Sequence, residues 1–256
     1  DDVARSMLEK LMELNPRSQV LIVEREISKA EAMEFTERYG AKVLTGDITS
    51  DFFLSTLRLS RAQRVILTSN RDFDNFEAAS KILAMRPELA SRMVVHCNRL
   101  RFMRMLQYSG VLDECVTFNS YHLAAQYLVK NHMLDYFKST GQLDTVIIAG
   151  FGRFGQTILE ELMELARDEI CDIGVIDVDA DRRILVAKEQ KDFPKEIFLH
   201  VLQGDIGHPE VWNALERQID LHETEPLVLL GTGVDDENLR TGLWLKRKFP
   251  NAKVMV

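Results

Sequence analysis

Three glycines and an acid carry the clearest chemical signal in this 256-residue chain. The run GFGRFG places Gly150, Gly152 and Gly155 between an apolar stretch at 145–149 and a segment of helical periodicity, and a second apolar stretch ends in Asp177. Strand, glycine loop, helix, strand and acid in that order make the dinucleotide fingerprint. Gly150 permits the tight turn out of the strand, Gly152 lets the backbone approach a pyrophosphate, and Gly155 lets the helix lie close on the sheet. The pyrophosphate would sit on the amino end of the helix, where unpaired N–H groups and the helix dipole favour negative charge. Asp177 lies 22 residues after Gly155, near the spacing of about 20 at which a carboxylate bonds the adenosine ribose hydroxyls. The competing reading of the same residues is a Rossmann unit that has lost its ligand.

Other residues fall at the same edge. Asp205 follows the third apolar run of this half, where a carboxylate suits the exocyclic amine of adenine, and the same Gly-Asp pair also reads as a turn or helix entry. Thr232 and Gly233, with Asp235, follow the fourth run, at the carboxyl edge where open α/β sheets bind ligands. The candidate cofactor set is therefore Gly150, Gly152, Arg153, Phe154, Gly155, Asp177, Val178, Asp205, Ile206, Thr232 and Gly233. Asn75 and Asn238 read as helix-entry groups rather than ligands. Asp177, Asp179 and Asp181 disfavour a ribose 2′-phosphate and so favour NAD over NADP, with Arg182 and Arg183 acting the other way. These acids and Asp235, Asp236 and Glu237 offer oxygens to a hard cation such as calcium, but no spacing here matches a dedicated calcium loop. The six histidines include no HExxH, and none stands beside a nucleophile motif, so no catalytic centre is expected.

The elements that position these residues occur twice. Residues 8–14 (LEKLMEL) match 159–165 (LEELMEL) at an offset of 151, the run 20–23 ending in Glu24 matches 174–176 ending in Asp177, and Gly46-Asp47 matches Gly204-Asp205. Val65, Asn75 and Pro87 match Val228, Asn238 and Pro250 at an offset of 163. Offsets that grow only in loops indicate duplication. Short apolar runs alternating with helical segments imply parallel strands joined by crossover helices. The expected fold is α/β, two tandem Rossmann-like doubly wound parallel sheets. The first copy's strands fall near 20–23, 41–44, 65–68, 93–96 and 114–118. A helix at 120–137, carrying Leu123, Ala124, Tyr127, Leu128, Leu134 and Phe137, ends at the polar turn 139–142. That division gives a first domain at 1–138, a linker at 139–143 and a second domain at 144–256. The first copy lacks its first strand, which would precede Asp1, and the second lacks its last elements, so further chain or a partner is expected at both ends. At the offset of 151, Asp1 and Ala4 replace Gly152 and Gly155, and Asp1 with Asp2 would repel phosphate there.

Composition narrows the field. A net charge of −8, with 40 acidic against 32 basic residues, speaks against nucleic acid, which needs a concentrated basic face. Cys97, Cys115 and Cys171 form no CxxC pair and suit a reducing compartment. No apolar run approaches the roughly 18 residues of a membrane span.

Assembled in this order, the chain resembles the RCK family, also called KTN or TrkA-N domains. The resemblance rests on VIIAGFGRFGQTILEEL, the acid after VID, VLQGDIGHPEVW and VLLGTGVDDEN, and in the first copy on VLIVERE, VLTGDITSDFF and VILTSNRDFDNFEAASKI. It implies a cytoplasmic regulatory module at the inner face of the membrane, not an enzyme, which gates a potassium channel or transporter. It implies a nucleotide on Gly150, Gly152, Gly155, Asp177 and Asp205, with NAD(H) first and ATP or ADP next, and calcium in some members. It further implies a membrane-embedded potassium pore as partner, fused or separate, and homo-oligomers paired through the helix at 120–137. Two features depart from the pattern: the first copy shows no GxG element, and no small lobe separates the copies. The alternative is a fragment of an NAD-dependent dehydrogenase whose catalytic domain lies elsewhere.

Overall fold

The computed structural model describes residues 2–110, 112–190, 194 and 196–256. They form two compact units, Asp1–Ser120 and Tyr121–Val256.

The first unit runs α1 (Asp2–Leu14), β1 (Leu21–Glu24), α2 (Lys29–Tyr39), β2 (Lys42–Thr45), α3 (Asp51–Thr56), β3 (Val65–Leu67), α4 (Asp72–Met85), β4 (Met93–His96), α5 (Leu100–Ser109) and β5 (Val116–Phe118). All its strand pairs are parallel, in two sheets ordered β1-β2 and β3-β4-β5. Local chemistry fixes the ends of α2. Ser28 and Glu31 form a capping box, and Gly40 closes the helix at φ 62° in the left-handed region open to glycine. The unit's core gathers Leu54, Leu67, Ala78, Ala79, Ile82, Met93, Val95 and Leu106 between α4, α5 and the three-stranded sheet.

The second unit runs α6 (Ser120–Leu128), a π-helical turn (Val129–Met133), α7 (Leu134–Thr140), β6 (Asp144–Ala149), α8 (Arg153–Leu165), β7 (Ile170–Asp177), α9 (Ala180–Gln190), β8 (Phe198–Gln203), α10 (Pro209–Glu216), β9 (Leu227–Leu230), α11 (Asp235–Lys248) and β10 (Lys253–Met255). Its five strands pair in parallel in the order β10-β9-β6-β7-β8. β6 is the central strand, and all six of its residues are buried, as a parallel strand covered on both faces requires. Alternate residues serve opposite faces: Val146 and Ile148 join one core with α8 and α9, and Ile147 and Ala149 join another with α10 and α11. Burying each Val or Ile side chain there contributes about 1.5–3 kcal/mol.

The duplication is visible at the level of single residues. α1 and α8 share both bounds at the offset of 151, and α4 and α11 share both at 163. In the second unit β6 stands between β7 and β9; among the described residues of the first, no strand stands between their counterparts β1 and β3. Leu21 and Ile66, on those two strands, stay exposed. The expectation about Asp1 as a phosphate-repelling residue lies outside the described residues.

The long helix before the second repeat differs from its sequence reading in two respects. It continues to Thr140, because the Ser139 and Thr140 hydroxyls donate to the carbonyls of Tyr136 and Phe137 and carry the last turn forward; Gly141 then ends it at φ 66°. The turn therefore begins at Gly141, two residues later than expected. The buried stripe is Ala125, Val129, Met133 and Phe137, packed on the core that holds α8, whereas Leu123 and Tyr127 are exposed. This helix packs with the second unit, and the packing boundary falls at 120–121.

Candidate functional site

At the carboxyl ends of β6, β7, β8 and β9 lies a cleft of about 360 Å³, at the lower end of the range of about 300–1,000 Å³ for small-molecule sites. β6 hands the chain to the glycine loop. Gly150 sits at φ 98°, and a Cβ there would stand 2.6 Å from the Gly231 carbonyl carbon, so only glycine fits the crossing of this loop with the one after β9. A Cβ on Gly155 would run into the Gly150 carbonyl oxygen, which accounts for the close approach of α8 to β6. Gly152 is the N-cap of α8, no side chain caps that end, and the nearest group to a Cβ built on Gly152 is the Arg183 guanidinium at 3.8 Å. The first turn of α8 therefore presents backbone N–H groups over an open glycine, which is the cradle a pyrophosphate needs.

Asp177, at the end of β7, has a 7% exposed side chain. Its Oδ2 accepts from the Phe151 N–H at 2.7 Å and from Arg183 Nη1 at 2.7 Å, and its Oδ1 accepts from the Asp179 N–H at 2.9 Å. The first of these bonds locks the acid to the glycine loop. A carboxylate offers about four acceptor sites, so one remains with Arg183 in place and two with Arg183 turned away. The residues present fit an adenine nucleotide on these grounds: uncapped N–H groups, a glycine open to the cleft, and an oriented carboxylate beside them.

Across the cleft, Asp205 Oδ1 accepts from the Gly207 N–H at 2.8 Å, an Asx-type turn. Asp205 makes the turn that its sequence pair suggests and also lines the cleft. Asn238 brackets the loop after β9: its Oδ1 accepts from the Thr232 N–H and hydroxyl, and its Nδ2 donates to the Thr232 carbonyl.

Of the sequence candidates, Gly150, Gly152, Asp177, Val178, Asp205, Ile206, Thr232 and Gly233 line the cleft. Arg153, Phe154 and Gly155 do not. The Arg153 guanidinium lies 5.0 Å over the Tyr121 ring, Phe154 packs on the core, and Gly155 serves the helix–strand contact. Sequence reasoning missed Gly204 and Gly231, weighed Glu237 only as an oxygen donor to a cation, and weighed Arg183 only for its charge; all four line the cleft. The available signals were the position of Arg183 one helical turn into α9 and of Glu237 in the first turn of α11. Among the described residues, no group of three or more His, Cys, Asp or Glu side chains is gathered for a metal, and no helix is long and apolar enough to cross a membrane.

Residues 1–117 and 146–256 match the TrkA-N domain model. The chain belongs to the TrkA-N domain family. The two matched segments are the two repeats, so this TrkA-N chain carries the domain twice. No curated protein matches it in sequence. Among solved structures it is similar to the GsuK RCK domain, with a TM-score of 0.64 and 14% identity over 99% of this chain and 67% of that one. It is also similar to the GsuK channel bound to NAD, with a TM-score of 0.66 and 15% identity over 99% and 55%, and to a GsuK mutant at 0.65 and 16% over 99% and 57%. This TrkA-N chain thus spans 55–67% of those chains. At such identities the likeness establishes the tandem Rossmann-like fold.

Proposed function

We propose that this chain is the nucleotide-sensing regulatory module of a potassium channel or transport system, with NAD(H) as its ligand in the second unit. The observation that carries the proposal is the bond from the Phe151 N–H to Asp177 Oδ2, which fixes the ribose-binding acid against the pyrophosphate-binding loop inside one cleft. Family membership supports a regulatory role, and a fold neighbour that binds NAD supports the choice of ligand. The cleft lining adds to that choice. It holds three carboxylates, Asp177, Asp205 and Glu237, against one cation, Arg183, a balance that disfavours the triphosphate of ATP more than the two charges of a dinucleotide pyrophosphate.

In this reading Gly150, Gly152 and the first turn of α8 hold the pyrophosphate, Asp177 orients the adenosine ribose, and Asp205, Thr232 and Gly233 close the far side. No bond is broken. A ligand that prefers one arrangement of paired domains shifts the assembly toward it by the difference in affinity, and a potassium pore at the inner face of the cell membrane, fused or separate, responds. Isothermal titration with NAD, NADH, ATP and ADP tests the binding step. NAD or NADH should bind, with Gly152→Asp at least tenfold weaker because a side chain and a negative charge enter the pyrophosphate path. Equal binding by Gly152→Asp would remove the loop from the site.

A further inference from the structure

The first unit holds a counterpart of this cleft edge, and there the protein supplies its own cation. The correspondence rests on the backbone. Glu24 pairs with Thr45 in β1–β2 as Asp177 pairs with Gln203 in β7–β8. The Gly46 N–H donates to the Glu24 carbonyl at 2.9 Å as Gly204 does to Asp177 at 3.0 Å. Asn75 brackets Ser69 as Asn238 brackets Thr232. By this register Asp47 corresponds to Asp205, Asp74 to Glu237, and Arg25 to Val178.

Arg25 Nη2 lies 3.0 Å from Asp47 Oδ1 and 3.4 Å from Asp74 Oδ2, so one guanidinium joins the two carboxylates across the strand ends. In the second unit Val178 offers no such group. Asp205 and Glu237 both line the cleft there, and a Cβ built on Gly207 between them would stand 3.3 Å from Asp205 Oδ1 and 3.2 Å from Glu237 Oε1. Among the described residues neither has an ion-pair partner.

We infer that the residue after the second-strand acid decides whether a cleft is open to ligand: Arg25 is an internal ligand that satisfies the first unit's acceptor pair, and Val178 leaves the equivalent pair for the N–H donors of an adenine nucleotide. A forked guanidinium and the exocyclic amine of adenine both present N–H groups to carboxylate oxygens, so the two occupants compete for the same chemistry. The inference rests on the nucleotide reading of the second cleft and extends it: one unit senses, and the other is sealed from within.

The test compares Val178→Arg with Val178→Met, each alone and combined with Asp205→Asn and Glu237→Gln, in the full chain. Val178→Arg should bind NAD and ADP at least tenfold more weakly than Val178→Met. Without nucleotide it should melt higher than Val178→Met, and that advantage should vanish when the two acids are amidated. Equal nucleotide affinity of the two variants, or a melting advantage that survives amidation, overturns the inference. A wild-type chain that binds none of the nucleotides refutes the proposed function instead, and the ligand-free melting comparison then decides this inference alone. Should Val178→Arg not fold, a double-mutant cycle on Arg25→Met and Asp74→Asn replaces it: coupling between them supports the internal ligand, and additivity overturns it.

Discussion

Asp47 shows how one residue of the repeat responds to its surroundings. The Thr49 N–H, the Thr49 hydroxyl and Arg25 hold its carboxyl down to about 2, below the ordinary value of about 3.9. The folded state therefore binds the proton less tightly than the unfolded chain. The stabilisation is complete above about pH 4 and is lost as pH falls toward 2. Acid unfolding followed by near-ultraviolet circular dichroism should show this limb in the wild type and a shallower one in Asp47→Asn; identical limbs would remove Asp47 from the acid response. At the same scale, the glycines and Asp177 were legible because each is defined by backbone geometry and spacing along the chain. Arg183 and Glu237 were not, since their place in the cleft depends on which way a long side chain turns from its helix. Arg153 and Phe154 share the motif's letters, yet Arg153 stacks on Tyr121 and Phe154 packs on the core.

At the scale of elements, repeated register is the strongest link between sequence and fold. The alternation of apolar runs and helical segments gave the parallel strands, because such a pattern implies crossover helices, and the matched offsets gave the duplication. They also located Asn75 and Asn238, read first as helix-entry groups. Both are buried and bracket the loop after the fourth strand of their repeat, and Asn75 also donates to the His96 carbonyl. Asn75→Ala and Asn238→Ala should each lower unfolding free energy by about 1–3 kcal/mol, the cost of stranding buried backbone partners, as measured by urea denaturation. A loss under about 0.5 kcal/mol would place them with ordinary surface positions. Gly155→Val should be worse, since its side chain meets the Gly150 carbonyl and Ile148 and prises α8 from β6; lost nucleotide affinity and a lower melting temperature should appear together. The end of the long helix escaped sequence reasoning for a physical reason. Ser139 and Thr140 are turn formers by composition, but their hydroxyls bonded back to the preceding turn and extended the helix.

For the whole molecule, duplication has produced two units with unequal chemistry. Among the described residues the second has a central strand, a glycine loop and an open cleft, and the first has an arginine across its acceptor pair. That asymmetry is the ground for proposing nucleotide sensing in the second unit. The most direct test is the thermal stability of wild type and Asp177→Ala with NAD, NADH, ATP and ADP. At 100 times its dissociation constant, NAD or NADH should stabilise the wild type by about 2.7 kcal/mol and leave Asp177→Ala unmoved at the same concentration. No response of the wild type to any of the four, or an equal response from Asp177→Ala, would contradict nucleotide sensing at this cleft.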